Sequence, residues 1–216
     1  MKSAADERRS SSERQAELTD AALSIVATRG IAALTTRTLA AEVGLTSGAI
    51  FRHFKSLDAL LDAVVGRVES VLLATYPSPS LAPAERLSAF LEARSQAVGS
   101  QLGILRLVVS EQFSLALPEG GSARLSRCIE KTRAFVTKCL REGQAQGVFR
   151  DDLEPQALAL IVMGALQMLA LSNAPERARA LEATNLIDAL LSLLRKPAPL
   201  PSPPPSNASK SRKNSR

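Results

Sequence analysis

The sequence has no tryptophan, one tyrosine, one histidine and two cysteines, and aromatic residues make up only 3% of it. Each scarcity removes a class of chemistry. Few aromatics beside abundant Leu and Ala favour helices over sheet. With His53 as the single histidine, no His pair exists to bind a metal, and a backbone-contacting or structural role is expected for it. Cys128 and Cys139 stand eleven residues apart on a predicted helix, about three turns and roughly 16 Å, too far for an intrachain disulfide. No nucleophile–base pair or phosphate-cradling loop is visible, so the expectation is a protein without cofactor, metal or catalysis. Long apolar runs are also missing. The longest, Ala157 to Leu171, has fifteen residues and is interrupted by Gln167, whereas a membrane span needs about 20. Residues 1–17 are polar and charged, which predicts no signal peptide and a cytoplasmic, nucleoid-associated protein. There is no internal repeat.

A one-sided charge excess is absent where it would be most telling. The 216-residue chain carries a formal +6. Lys210, Arg212, Lys213 and Arg216, in a Pro-rich segment without acids, account for four of these, leaving +2 for residues 1–196. Residues 1–65 balance eight bases against eight acids. Bulk charge therefore does not mark a nucleic-acid partner, and local placement has to.

What is present is a compact signal at residues 35–60. Leu39, Ala40, Val43, Leu45, Ile50 and Phe54 supply an apolar side across two short predicted helices, about 36–43 and 47–53. Gly44 stands where the first must stop, and Thr46 is placed to cap the second. The second helix offers Ser47, Gly48, Arg52 and His53 to solvent. An ordinary helical hairpin shares this spacing, but two short helices with small polar groups at the start of the second also suit a DNA major groove.

The stretch resembles the N-terminal domain of the TetR family of bacterial transcriptional regulators. The resemblance rests on Gly30, Leu34-Thr35-Thr36-Arg37, Leu39-Ala40, Val43-Gly44-Leu45-Thr46, Gly48-Ala49-Ile50-Phe51 and His53-Phe54, and covers about residues 12–65. It implies that Thr36 and Arg37 contact DNA, Thr36 facing a phosphate and Arg37 reaching a phosphate or a guanine edge. Thr46, Ser47, Gly48 and Ala49 would enter the groove, with Ala49 near a thymine methyl, and Arg52 and His53 would reach the flanking backbone. Two positions depart from the family. Phe51 stands where Tyr is usual and Leu57 where Lys is usual, so two phosphate contacts are lost; Phe51 can still meet a sugar or methyl, and Lys55 stands two residues before the missing lysine. Weaker intrinsic affinity, offset by dimerisation or the basic tail, is the expectation.

The remaining pattern predicts an all-α chain of about nine helices: a flexible 1–11, a three-helix helix-turn-helix domain at 12–56, a helical regulatory and dimerisation domain at 57–196, and a disordered basic tail at 197–216. Helix 1 is expected from Ser12 to Arg29, helix 4 after Ser56, then helices near 84–98, 102–115, 123–146, 155–172 and 176–195. The resemblance implies homodimerisation through about 155–195. Leu158, Ile161, Val162, Ala165 and Leu169, then Leu186, Ile187, Leu190, Leu191 and Leu194, are the candidate interface. It also implies an unidentified small-molecule effector enclosed by helices 4–7. Gln96, Arg106, Glu111, Gln112 and Gln167 are the polar candidates there, and the scarcity of aromatics argues against an aromatic-lined multidrug pocket. Together these predict a repressor on near-palindromic double-stranded DNA, released by its effector and without a membrane partner. The competing readings are a DNA-bound scaffold without an inducer and a helical carrier or enzyme.

Overall fold

The structure, a computed structural model, describes residues 4–100, 110–172 and 175–197. Among these residues the chain is all-helical, with one isolated backbone bridge between Phe149 and Arg195. The helices are α1 (Ala4–Arg29), α2 (Thr36–Glu42), α3 (Ser47–Ile50), α4 (Leu57–Ala74), α5 (Pro83–Ser100), α6 (Glu111–Ala116), α7 (Gly121–Ala145), α8 (Pro155–Leu171) and α9 (Glu176–Leu194), with a 3₁₀ turn at Ile31–Ala33. The basic tail expected at 197–216 lies, but for Pro197, outside the described residues.

Local punctuation explains most boundaries. Gly30 and Gly44 adopt φ of 83° and 67°, the left-handed conformation that only glycine takes at little cost, and each ends a helix. Ser56 caps α4 by accepting the Ala59 N–H at 3.1 Å. Pro155 opens α8, where its missing N–H costs nothing. Three boundaries differ from expectation. Of the helix expected at 102–115, Glu111–Ala116 is helical with Ser110 as its cap, and residues 102–109 lie outside the described residues. Instead of starting near Ser12, α1 starts at Ala4, because Ala4, Ala5, Glu7, Arg8 and Arg9 are good helix formers that extend it. And α3 stops at Ile50 rather than residue 53, with Phe51, Arg52 and His53 turning back so that Phe54 enters the core.

Two apolar cores result. The first joins α1–α4: Leu18, Ile25, Leu39, Ile50, Phe54, Leu60 and Val64, with Phe113 of α6 and Leu125 of α7 inserted into it. The second joins α5, α7, α8 and α9 through Leu87, Phe90, Val136, Leu140, Phe149, Leu158, Val162 and Ile187. One helix, α7, belongs to both, its first half in the first core and its second half in the other. Arg124 on α7 ties it to α4 by pairing with Glu69 and with Asp62, the latter at 2.6 Å.

The interface residues expected on the last two helices are largely claimed by the second core. Leu158, Val162, Leu169, Ile187, Leu190 and Leu194 are buried within the protomer. Only Ile161 of that set is exposed. A different set stands outward on the same helices: Leu160, Ile161, Met168, Leu171, Leu181 and Leu193. The cause is that α8 is apolar around most of its circumference, Gln156 and Gln167 apart, so its sequence has no single hydrophobic face to read.

Candidate nucleic-acid interface

A reciprocal cap fixes where α2 begins. Thr35 Oγ1 accepts the Thr38 N–H at 3.1 Å, and Thr38 Oγ1 accepts the Thr35 N–H at 2.9 Å. The Thr38 hydroxyl also donates to the Ala33 carbonyl at 2.6 Å, which anchors the cap to the preceding turn. Thr36 and Arg37 therefore fall in the first turn, Thr36 half-buried and Arg37 exposed. Buried Leu39 and Ala40 press the opposite side of α2 into the first core.

Thr46 caps α3, its Oγ1 accepting the Ala49 N–H at 3.3 Å and its own proton left to donate outward. Ser47 and Gly48 are exposed, Ala49 is half-buried and Ile50 is buried. A Cβ placed on Gly48 would meet no atom within 4 Å. The fold therefore has no packing need for glycine there. Phe51 is 52% exposed, unusual for a ring of its size, and Arg52 and Lys55 are exposed beside it. His53 is half-buried, its Nδ1 has no hydrogen-bond partner, and its carbonyl accepts from Gln15. Leu57 is exposed at the start of α4.

Ion pairing supplies what the charge count withheld. Between residues 11 and 70, Arg14 pairs with Glu17, Arg29 with Glu42 and Arg67 with Asp20. Arg37, Arg52 and Lys55 form no ion pair among the described residues. Glu17, Asp20 and Glu42, the last at the end of α2, are taken up by Arg14, Arg67 and Arg29, which leaves Arg37, Arg52 and Lys55 as cations without an ion pair around α2 and α3.

Three contributors escaped sequence reading. Thr35 and Thr38 set the cap, and their spacing was the legible signal. Gln15, whose Nε2 donates to the His53 carbonyl at 2.9 Å, is 38 residues away in sequence and left no signal. Of the polar effector candidates, Gln96 lines an open groove of about 410 Å³ between α4 and α5. Glu111, Gln112 and Gln167 are exposed, and Arg106 lies outside the described residues. No helix among the described residues is long and apolar enough to cross a membrane.

An N-terminal helix-turn-helix with unpaired cations, joined to a second helical core, defines the class of a DNA-binding transcriptional regulator. Residues 18–64 match the family described as bacterial regulatory proteins, tetR family. The HTH-type transcriptional repressor KstR2 of Mycolicibacterium smegmatis is 29% identical over 145 residues, covering 65% of this chain and 70% of that protein. KstR2 of Rhodococcus jostii is 26% identical over 161 residues, covering 69% and 74%. The solved structure of the ketosteroid transcriptional regulator KstR2 of Mycobacterium tuberculosis superimposes with a TM-score of 0.68 at 23% identity, covering 85% of this chain and 96% of that one. That of AibR in complex with isovaleryl coenzyme A and operator DNA gives 0.69 at 16% identity, covering 86% and 100%. Residues 18–64 thus carry the N-terminal domain of the tetR family of bacterial regulatory proteins, and the described chain shares the fold of these solved regulators.

Proposed function

We propose that this regulator is a homodimeric repressor that binds a near-palindromic operator and leaves it when a small molecule binds among α4–α7. The division of charge around the helix-turn-helix carries the reading: the segment's other arginines are paired, whereas Arg37, Arg52 and Lys55 are not. Thr36 and Arg37 of α2, Thr46, Ser47, Gly48 and Ala49 of α3, and Phe51, Arg52, His53 and Lys55 beyond it form the contact surface. Arg37 meets a phosphate or a base edge, Arg52 and His53 reach the flanking backbone, and the small residues of α3 admit the groove wall.

One such module binds weakly, and two-fold pairing doubles its contacts and sets half-site spacing. The outward apolar residues of α8 and α9, with Met168 67% exposed and Leu160 57%, support pairing through those helices. The relatives named as repressors, and the AibR structure in complex with isovaleryl coenzyme A and operator DNA, support a repressor that also takes a small-molecule ligand. The route would run through α4, which lies in the first core and is held to α7 by Arg124.

An electrophoretic shift on the DNA upstream of the protein's own gene tests this. A sequence-specific shift at moderate salt, by a species that sediments as a dimer, is expected. Binding that does not distinguish this DNA from random sequence would overturn the reading. A melting scan against metabolites separates an effector-controlled repressor from a scaffold.

A further inference from the structure

Four buried or half-buried arginines lie among α4, α5 and α7, and they are not equivalent: Arg67 pairs with Asp20 at 2.7 Å. Arg86 pairs with Glu142 and also donates to the Pro79 carbonyl at 3.1 Å. Arg124 pairs with Asp62 and Glu69. Arg94 is only 2% exposed and forms no ion pair with any described residue. Residues 98–109, which follow it, contain no acid.

The surroundings of Arg94 do not replace a carboxylate. Its guanidinium lies 4.9 Å from the Phe90 ring centre and 5.6 Å from that of Tyr76. One nitrogen, Nη2, donates to Thr132 Oγ1 at 3.3 Å, and Nε has no hydrogen-bond partner. Thr132 has little more to offer. Its hydroxyl proton goes to the Cys128 carbonyl at 2.9 Å, and Tyr76 Oη lies 3.0 Å from Thr132 Oγ1 itself. Lys131 Nζ lies 5.5 Å from the Tyr76 ring centre, adding a second cation. Burial lowers the Arg94 pKa from its ordinary value, as expected for a charge without a counter-ion. A buried cation left this way costs stability, and a purely structural site would be served as well by an apolar side chain.

Position adds a second argument. Arg94, Tyr76 and Thr132 sit where the two cores meet, with Cys128 of the first core on one side and Phe90 and Phe135 of the second on the other. The open groove between α4 and α5 is lined by Arg67, Ser70, Thr75, Ala93 and Gln96 among others; Tyr76 and Arg94 follow Thr75 and Ala93 in the chain and lie behind that lining rather than in it. Val71, Ala74 and Ala97 give it apolar walls. Its volume of about 410 Å³ falls within the range of small-molecule sites, about 300–1,000 Å³.

We propose that Arg94 is the receptor for the anionic group of the effector, a small organic carboxylate or phosphate whose apolar body occupies the α4–α5 groove. This rests on the effector-controlled reading above and names the chemistry of the effector. The anion completes the missing ion pair, and the rings of Tyr76 and Phe90 shield it from water, which strengthens a charge-assisted contact. Because the site sits at the seam, filling it bears on both cores at once.

The test uses the full chain and four probes: octanoate, octyl phosphate, inorganic phosphate and 1-octanol. Melting is followed for wild type and Arg94→Met, which keeps bulk and removes charge. Octanoate or octyl phosphate is expected to raise the wild-type midpoint by about 5–10 °C at roughly a hundred-fold excess over Kd, with 1-octanol doing far less. The variant is expected to melt at or above wild type without ligand and to lose the anion response. Whichever of the two organic anions acts identifies the head group, and a response to inorganic phosphate alone removes the groove from the proposal. A flat wild-type midpoint across all probes overturns it, as does an equal anion response in Arg94→Met. Operator release is read separately. Arg94-dependent stabilisation without release keeps the anion site and overturns effector control, whereas release by 1-octanol with no Arg94-dependent stabilisation does the reverse.

Discussion

Gln15 Nε2 donates to the His53 carbonyl across 2.9 Å, tying α1 to the turn that follows α3. That carbonyl lies past the last hydrogen-bonded turn of a four-residue helix, which has little rigidity of its own. The first core holds Ile50 and Phe54, and Gln15 holds the backbone between them. Gln15→Ala is expected to lower operator affinity about three- to ten-fold, the equivalent of roughly 0.5–1.5 kcal/mol for one hydrogen bond. The melting midpoint should move little. A fluorescence-anisotropy titration paired with a thermal melt checks this, and unchanged affinity would show that α3 is held without Gln15.

Gly48 separates folding from binding. Its φ is ordinary and a Cβ there meets nothing, so Gly48→Gln is tolerated by the fold and favours helix by some tenths of a kcal/mol. The added side chain would stand in the space assigned to the groove wall. Operator affinity is expected to fall more than about ten-fold, an effect of the size of one good base contact, while the midpoint holds or rises. Retained affinity would place the reading face elsewhere.

Arg37→Ala removes an unpaired cation from an exposed position. If it meets a phosphate, the slope of log K against log salt should decrease by about one; if it reads a base edge, the cost is about 1–3 kcal/mol with relaxed specificity. Binding at four salt concentrations to the operator and to a scrambled duplex distinguishes the two. No change in either would remove Arg37 from the interface.

Gly143 offers the opposite case to Gly48. A Cβ there would lie 2.2 Å from Phe149 Cδ2, inside a fully buried contact. Glycine to alanine within a helix ordinarily stabilises, by about 1 kcal/mol. Here overpacking reverses the sign, and Gly143→Ala is expected to cost about 1–3 kcal/mol. Urea melts read this, and Phe149→Leu in the Gly143→Ala background should recover part of the loss.

The outward apolar residues of α8 and α9 carry the last prediction. Met168→Glu or Leu160→Glu places a charge on a surface the protomer core does not use. Sedimentation should then show monomer, and operator affinity should fall by at least about a hundred-fold, since half of the contacts are lost together. Val162→Glu, at a fully buried position, should instead unfold the chain.

Fold class and the helix-turn-helix were determined by the sequence alone because their causes are local. Gly30 and Gly44 stop helices through their own φ, Thr46 and Ser56 cap helices within three residues, and Pro155 starts one by lacking an N–H. No such short-range signal says which side of a mostly apolar helix is free. Packing chose to bury Leu158 and Val162 and to expose Leu160 and Met168. The same holds for charge. The balance of residues 1–65 is visible in the sequence, but only tertiary contacts pair Arg29 with Glu42 and Arg67 with Asp20 while leaving Arg37 and Arg52 unpaired. Arg94 shows this most clearly. In the sequence it is one polar residue on an amphipathic helix. Only the meeting of α4, α5 and α7 surrounds it with Tyr76, Phe90 and Thr132 and supplies no carboxylate, because those partners lie between 4 and 38 residues away and are brought together by the packing of two cores.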